Sequence, residues 1–116
     1  MRTQLLSPEP LEIPLRLDET GAWRVGHTRV LLDIVVYEFQ RGSTPEQIVD
    51  AYDTLTIGDV YRVIAYYLSN REAVDKYIAE REAQAEQMWR EFEVDFPNHA
   101  LTKDKFLKKM ADKSKS

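Results

Sequence analysis

The 116-residue sequence contains no cysteine, which excludes disulfides and thiolate metal sites and fits a cytoplasmic protein. Only two histidines are present, His27 and His99, so a metal centre would need carboxylates gathered by the fold, and no ligand spacing announces one. Glycine is scarce, at four residues, and there is no Gly-rich phosphate loop, no G-x-S-x-G and no H-E-x-x-H. The numerous carboxylates fall at helix-surface spacing, where they are more often solvated than catalytic. The expectation is therefore no enzyme and no cofactor. Long apolar runs are also missing, so no transmembrane span and no membrane partner are expected. Met1 to Pro10 lack a basic start followed by an apolar stretch of signal length, so no secretion signal is expected.

What is present suffices for one modest core. The chain is 43% hydrophobic and 10% aromatic, a composition that folds, and its length fits a single domain. Charge is distributed unevenly. Residues 101–116 hold six lysines and two aspartates, a local +4, against −8 for residues 1–100. A basic tail on an acidic body reads either as a solubilising terminus or as a contact for nucleic acid or another acidic surface.

Period-2 alternation of Leu11, Ile13, Leu15 and Leu17 predicts a strand with one apolar face, and Pro14 places it at an edge. Asp18 to Gly21 reads as a turn, with Gly21 at positive φ, and Trp23 and Val25 give the return strand. The predicted hairpin covers residues 11–26. From Val30 the period becomes helical. Leu32, Val35, Val36 and Phe39 make the first stripe, and Gly42 suits the left-handed stop. Thr44-Pro45-Glu46-Gln47 predicts a capping box and a short second helix carrying Ile48, Val49 and Tyr52. Thr56 caps a third helix whose inner stripe is expected to be Ile57, Val60, Ile64, Tyr67 and Leu68, with Asp59, Arg62, Val63, Tyr66 and Ser69 facing away. Asn70 is expected to cap a fourth helix to Asp95. Its face runs through Val74, Ile78, Arg81, Ala85, Met88 and Phe92, flanked by Tyr77, Trp89 and Phe96. Thr102 is placed to cap a last short helix with Phe106, Leu107 and Met110 on one side. The helices are expected near 31–41, 45–52, 57–69 and 71–95. The expected buried set is Leu32, Val35, Phe39, Ile48, Val60, Ile64 and Leu68.

Residues 26–75 resemble a bacterial family catalogued as domain of unknown function 433. The resemblance lies in Gly26-His27-Thr28-Arg29-Val30, Gly42-Ser43-Thr44-Pro45-Glu46-Gln47-Ile48, Leu55-Thr56-Ile57-Gly58-Asp59-Val60-Tyr61 and Ala65-Tyr66-Tyr67-Leu68. The family pattern usually has Thr directly after the Gly; here His27 intervenes. The resemblance implies a homeodomain-like trihelical bundle. Members are often proposed as antitoxins encoded beside PIN-domain nuclease toxins, whose metal is held by acidic residues.

The expected architecture is mainly α. Residues 1–95 would form one domain: a hairpin at 11–26, a helix-turn-helix-like trihelical bundle at 30–69 and a long helix at 71–95. Residues 96–116 would be a basic tail, partly disordered or weakly helical. Helix four is too long for such a bundle to cover. Its distal stripe should therefore be occluded by the tail or by a second chain, which makes a homo-oligomer or a protein partner the expectation. The candidate partner-binding residues are Arg81, Ala85, Met88, Trp89, Arg90 and Phe92, with Trp89 and Phe92 the expected hot spots. Arg81 within the stripe reads either as a snorkelling side chain or as a cation offered to nuclease carboxylates. Candidate nucleic-acid contacts are Thr56, Arg62 and Tyr66 on helix three and Lys103, Lys105, Lys108 and Lys109 in the tail. Residues 30–69 carry −4, so that surface would repel phosphates, and DNA binding is expected to be weak. The functional expectation is an antitoxin-like binding protein directed at a nuclease toxin encoded nearby. The alternatives are a stand-alone DNA-binding regulator and a structural dimerisation module.

Overall fold

The computed structural model describes residues 12–113. Leu11, the prolines before it and the last residues of the lysine tail lie outside the described residues. Over the described residues the protein is mainly helical: a two-stranded antiparallel hairpin precedes five helices. The hairpin pairs β1 (Leu15–Leu17) with β2 (Trp23–Val25) in the register Leu15↔Val25, Arg16↔Arg24 and Leu17↔Trp23. The helices are α1 (Leu32–Gln40), α2 (Pro45–Ala51), α3 (Ile57–Ser69), α4 (Arg71–Asp95) and α5 (Lys103–Lys113).

The hairpin is organised by one carboxylate. Asp18 accepts from the Thr20 amide (2.8 Å) and hydroxyl (2.6 Å), from the Ala22 amide (3.0 Å) and from Arg24 Nε (2.8 Å). Gly21 sits at φ 88°, the left-handed conformation the turn demands. Burial pushes the Asp18 carboxyl up, but these donors outweigh it and hold the group well below the usual carboxylate range. A depressed folded-state pKa stabilises the fold above the ordinary carboxylate pKa, and that contribution drains away as the pH falls toward the folded value. Asp18→Asn should therefore cost about 1–2 kcal/mol at neutral pH. Its difference from wild type should shrink progressively below about pH 4. Urea unfolding at neutral and acid pH measures this; an undiminished difference in acid would count against the assignment.

The alternation in the hairpin does not translate into one buried and one wet face. Leu17 and Ile13 are exposed, whereas Ala22 and Arg24 of the return strand are buried along with Val25. β2 is the inner strand. Its far edge is closed by the Val25 amide donating to Val30 (2.9 Å) and by an isolated bridge from Arg24 to Leu31. Burial of Arg24 is supported by Asp18 and by the Arg29 carbonyl (2.6 Å). The turn that contains His27 is closed by Thr28, whose amide (3.0 Å) and hydroxyl (2.7 Å) both donate to the Val25 carbonyl.

The helix boundaries follow local chemistry. α1 ends at Gly42, at φ 94°. The Ser43 amide donates back to Glu38 and the Gly42 amide to Phe39, each at 3.0 Å, the paired bonds that close a helix over a left-handed residue. Thr44 and Gln47 form the reciprocal capping box of α2. Thr56 accepts from the Asp59 amide at 3.2 Å to start α3. Asn70 departs from expectation. Its side chain makes no bond into α4; its Nδ2 instead donates to the Tyr66 carbonyl (3.0 Å) and closes the end of α3.

α3 is the central element and packs on both α1 and α2, with β2 against α1 and the start of α4 against α3. The core comprises Val25, Leu32, Val35, Val36, Ile48, Leu55, Val60, Val63, Ile64, Tyr67, Val74 and Ile78. Two expectations for α3 are corrected. Val63, expected outside, is fully buried, while Ile57 and Leu68, expected inside, are 41% and 49% exposed. The helix is apolar over more than one face. The elements packed on α3, namely α1, α2 and the start of α4, take up the side bearing Val63 and leave the Leu68 side to solvent. Phe39, expected in the core, is partly buried and packs at its margin.

Candidate functional site

α4 has 25 residues, about 37 Å at 1.5 Å each, and the bundle covers only its beginning. Val74 and Ile78 are its buried residues. The radius of gyration is 17.5 Å and the longest extent 74 Å, where a compact chain of this size would have a radius near ~13 Å. The distal half of α4 therefore forms an arm, and α5 folds back along it.

A polar clasp marks the point where the arm leaves the bundle. Asp33, in the first turn of α1, is 7% exposed, and its Oδ2 accepts from Arg81 Nε at 2.9 Å. The Arg81 guanidinium lies 5.7 Å from the Tyr77 ring centre. The Tyr77 hydroxyl in turn accepts from the Trp23 amide at 2.7 Å, tying α4 to the hairpin. One turn along α1, the Tyr37 hydroxyl donates to Glu82. Burial lowers the Arg81 pKa, but the hydrogen bond and charge of Asp33 more than compensate, so the net shift is upward and the guanidinium stays charged. Burial and the Glu82 carboxylate together push the Tyr37 hydroxyl up, so it stays a donor. Asp33 Oδ1 is buried without a hydrogen-bond partner among the described residues.

Beyond the clasp the arm has a small aromatic core of its own. Trp89 lies 5.4 Å from Phe106 and 5.2 Å from His99, and Phe92 lies 4.7 Å from both. Phe96 extends the cluster, 5.1 Å from Phe92. Phe106 is buried, so α5 is held by its apolar side. Thr102 accepts from the Lys105 amide at 3.2 Å and starts α5. The His99 ring accepts from the Leu101 amide through Nδ1 (3.0 Å), which shapes the turn between the two helices. Across the gap, Lys103 binds Glu86 and holds that carboxyl below its ordinary pKa.

The sequence-predicted site residues divide accordingly. Ala85, Met88, Trp89 and Phe92 are half-buried within the arm, Trp89 and Phe92 against Phe106 of α5, and Arg90 is exposed. Arg81 is committed to Asp33, so neither snorkelling nor an open cation describes it. Of the tail lysines, Lys103 pairs with Glu86, while Lys105, Lys108 and Lys109 are exposed on α5. Thr56 is spent as a cap, Arg62 lies 3.4 Å from Asp59, and Tyr66 is half-buried. Tyr66 lines a groove of about 360 Å³ with Ile13, Leu15, Trp23 and Tyr77. Sequence reasoning missed Asp33 and His99. Asp33 carried a usable signal: an arginine inside an apolar stripe requires a carboxylate, and Asp33 adjoins the apolar stripe of α1. Exposed instead, at 79% and 57%, are Val94 and Phe96 near the end of α4.

Among the described residues no group of three or more His, Cys, Asp or Glu is placed to hold a metal ion, and no helix is long and apolar enough to cross a membrane. No curated protein and no solved structure matches the chain. A family described as protein of unknown function (DUF433) does match, over the segment that forms β2 and α1 through most of α3. Residues 20–67 of this chain are a DUF433 family domain.

Proposed function

We propose that this chain is an antitoxin-like binding protein whose α4–α5 arm engages a PIN-type nuclease encoded beside it. The observation that carries the reading is the arm itself. It leaves the DUF433 bundle at the Asp33–Arg81 clasp, is stiffened by its aromatic core, and ends in exposed Val94 and Phe96 with Arg90 nearby on α4. A stiff arm loses little conformational entropy on binding, and exposed aromatic and arginine side chains are the usual anchors of protein interfaces. The class of partner comes from the family, whose members are often proposed as antitoxins of PIN-domain nucleases. Arg90 is the cation available for the nuclease carboxylates, because Arg81 already has one. Lys105, Lys108 and Lys109 can add contacts to phosphate, which are non-specific and fall steeply with salt.

The test is co-expression of the neighbouring nuclease with wild type, with Val94→Asp plus Phe96→Asp, and with Arg90→Ala. The double variant should weaken capture by about 100-fold, and Arg90→Ala by about tenfold. These side chains are exposed, so circular dichroism should be unchanged. Trp89→Ala is less informative, since it removes the arm's own core. If all variants bind and inhibit like wild type, the arm is not the binding surface. If no neighbour binds and the protein holds one DNA sequence at physiological salt, a stand-alone regulator replaces this reading.

A further inference from the structure

The connection between α4 and α5 is built from two consecutive turns that share His99. The His99 amide donates to the Phe96 carbonyl at 3.1 Å, a reversal suited to Pro97, whose fixed φ favours the position after Phe96. The His99 side chain closes the second turn, its Nδ1 accepting from the Leu101 amide at 3.0 Å. Thr102 then caps α5. A ring nitrogen that accepts carries no proton, so this bond fixes the neutral imidazole with its hydrogen on Nε2. The side chain is 14% exposed and packs against Trp89 and Phe92 of α4. Glu93, also on α4, stands 3.9 Å from Nε2 and is half exposed. Lys103, at the start of α5, is bound to Glu86, and Asp95, Asp104 and Lys105 are exposed.

We propose that His99 is a proton-operated latch on the arm: α5 docks on α4 while the imidazole is neutral and loosens when it is protonated. Imidazole is the side chain that ordinarily changes charge between about pH 5 and pH 8. With Nε2 already carrying a hydrogen, the added proton goes to Nδ1. An Nδ1–H cannot accept, so the Leu101 amide loses its partner and faces another donor. The groups that favour the charged ring do not oppose this opening. The Trp89 and Phe92 rings can receive a cation and the Glu93 carboxylate attracts one, but all three lie on α4. His99 stays joined to α4 through the Phe96 turn, so those attractions persist with α5 undocked. The Leu101 bond exists only while the second turn is closed, so it decides the direction. The consequence reaches beyond the turn. α5 covers Trp89 and Phe92 through Phe106, at 5.4 and 4.7 Å, so a loosened α5 opens the aromatic core of the arm. The inference concerns the arm's own closure and stands apart from the nuclease reading.

Amide exchange of the full chain at about pH 7.5 and about pH 5, corrected for the intrinsic rate at each pH, tests it. Protection of α5 should fall about tenfold on acidification, the scale of one lost hydrogen bond, while α3 stays protected. His99→Asn offers a side-chain oxygen to the Leu101 amide in an Asx turn and does not titrate, so α5 should stay protected at both pH values. His99→Ala should leave α5 poorly protected at both. Equal α5 protection of wild type at the two pH values overturns the proposal. So does a full pH response retained in His99→Asn, and so does a parallel loss in α3, which would be general acid unfolding. Glu86→Gln removes the other ion pair between the two helices. It should weaken α5 docking at both pH values and keep the acid response; if the response vanishes, the Lys103–Glu86 pair is the switch and His99 is not.

Discussion

Tyr67→Ala should destabilise the protein by about 3–5 kcal/mol, more than any other single truncation in the bundle. The ring is 1% exposed and meets Phe39 edge-on at 6.2 Å, so its removal leaves a cavity at the junction of α1 and α3. The hydroxyl reaches further. It accepts from Gln40 Nε2 (3.0 Å) on α1 and donates to Asp75 (2.8 Å) on α4, and the Arg71 guanidinium lies 5.4 Å from the ring centre. Tyr67 therefore binds three helices together. Tyr67→Phe keeps the packing and loses only the hydroxyl bonds. Gln40 and Asp75 are exposed enough to turn to water, so this variant should cost about 1 kcal/mol. Urea denaturation of both variants separates the two contributions. If Phe costs as much as Ala, the polar junction rather than the ring holds the bundle.

Arg81→Ala should cost about 2–4 kcal/mol, because it strands the Asp33 carboxylate in the bundle. The upper part of the range for a fully buried pair is discounted, since the Arg81 side chain is 27% exposed. Among the described residues Asp33 already has one buried oxygen without a partner, so losing the guanidinium leaves both oxygens unpaired there. Asp33→Asn combined with Arg81→Met should recover most of the loss, as both charges disappear together. A double-mutant cycle on urea midpoints measures the coupling. If Arg81→Ala and the double variant are equally unstable, the clasp contributes packing rather than an ion pair. Amide exchange supplies a second readout. Arg81→Ala should speed exchange at residues 82–95 more than in α3, because the clasp is where the arm is anchored.

Sequence alone determined the order and ends of the elements, because those depend on short-range chemistry. The capping box of Thr44 and Gln47, the cap at Thr56 and the left-handed glycine at Gly42 each act within about five residues, and the helices begin and end where they dictate. The unbroken α4 was legible for the same reason: residues 71–95 hold no proline or glycine to interrupt it. What tertiary structure decided was which side of each element is covered. On α3 the apolar arc is wide enough for two solutions, and only the positions of α1, α2 and the start of α4 exclude Leu68 and admit Val63. The return strand carries Arg24 into the interior because Asp18 and a backbone carbonyl receive it, an arrangement no alternation pattern contains. Arg81 looked available until Asp33, 48 residues away, proved to be its partner. Trp89 and Phe92 needed cover from the tail or from a second chain, and only the tertiary structure supplies it, from Phe106 of α5. Periodicity reports which residues seek burial; only the assembled chain decides which of them finds it, because coverage depends on neighbours far apart in sequence.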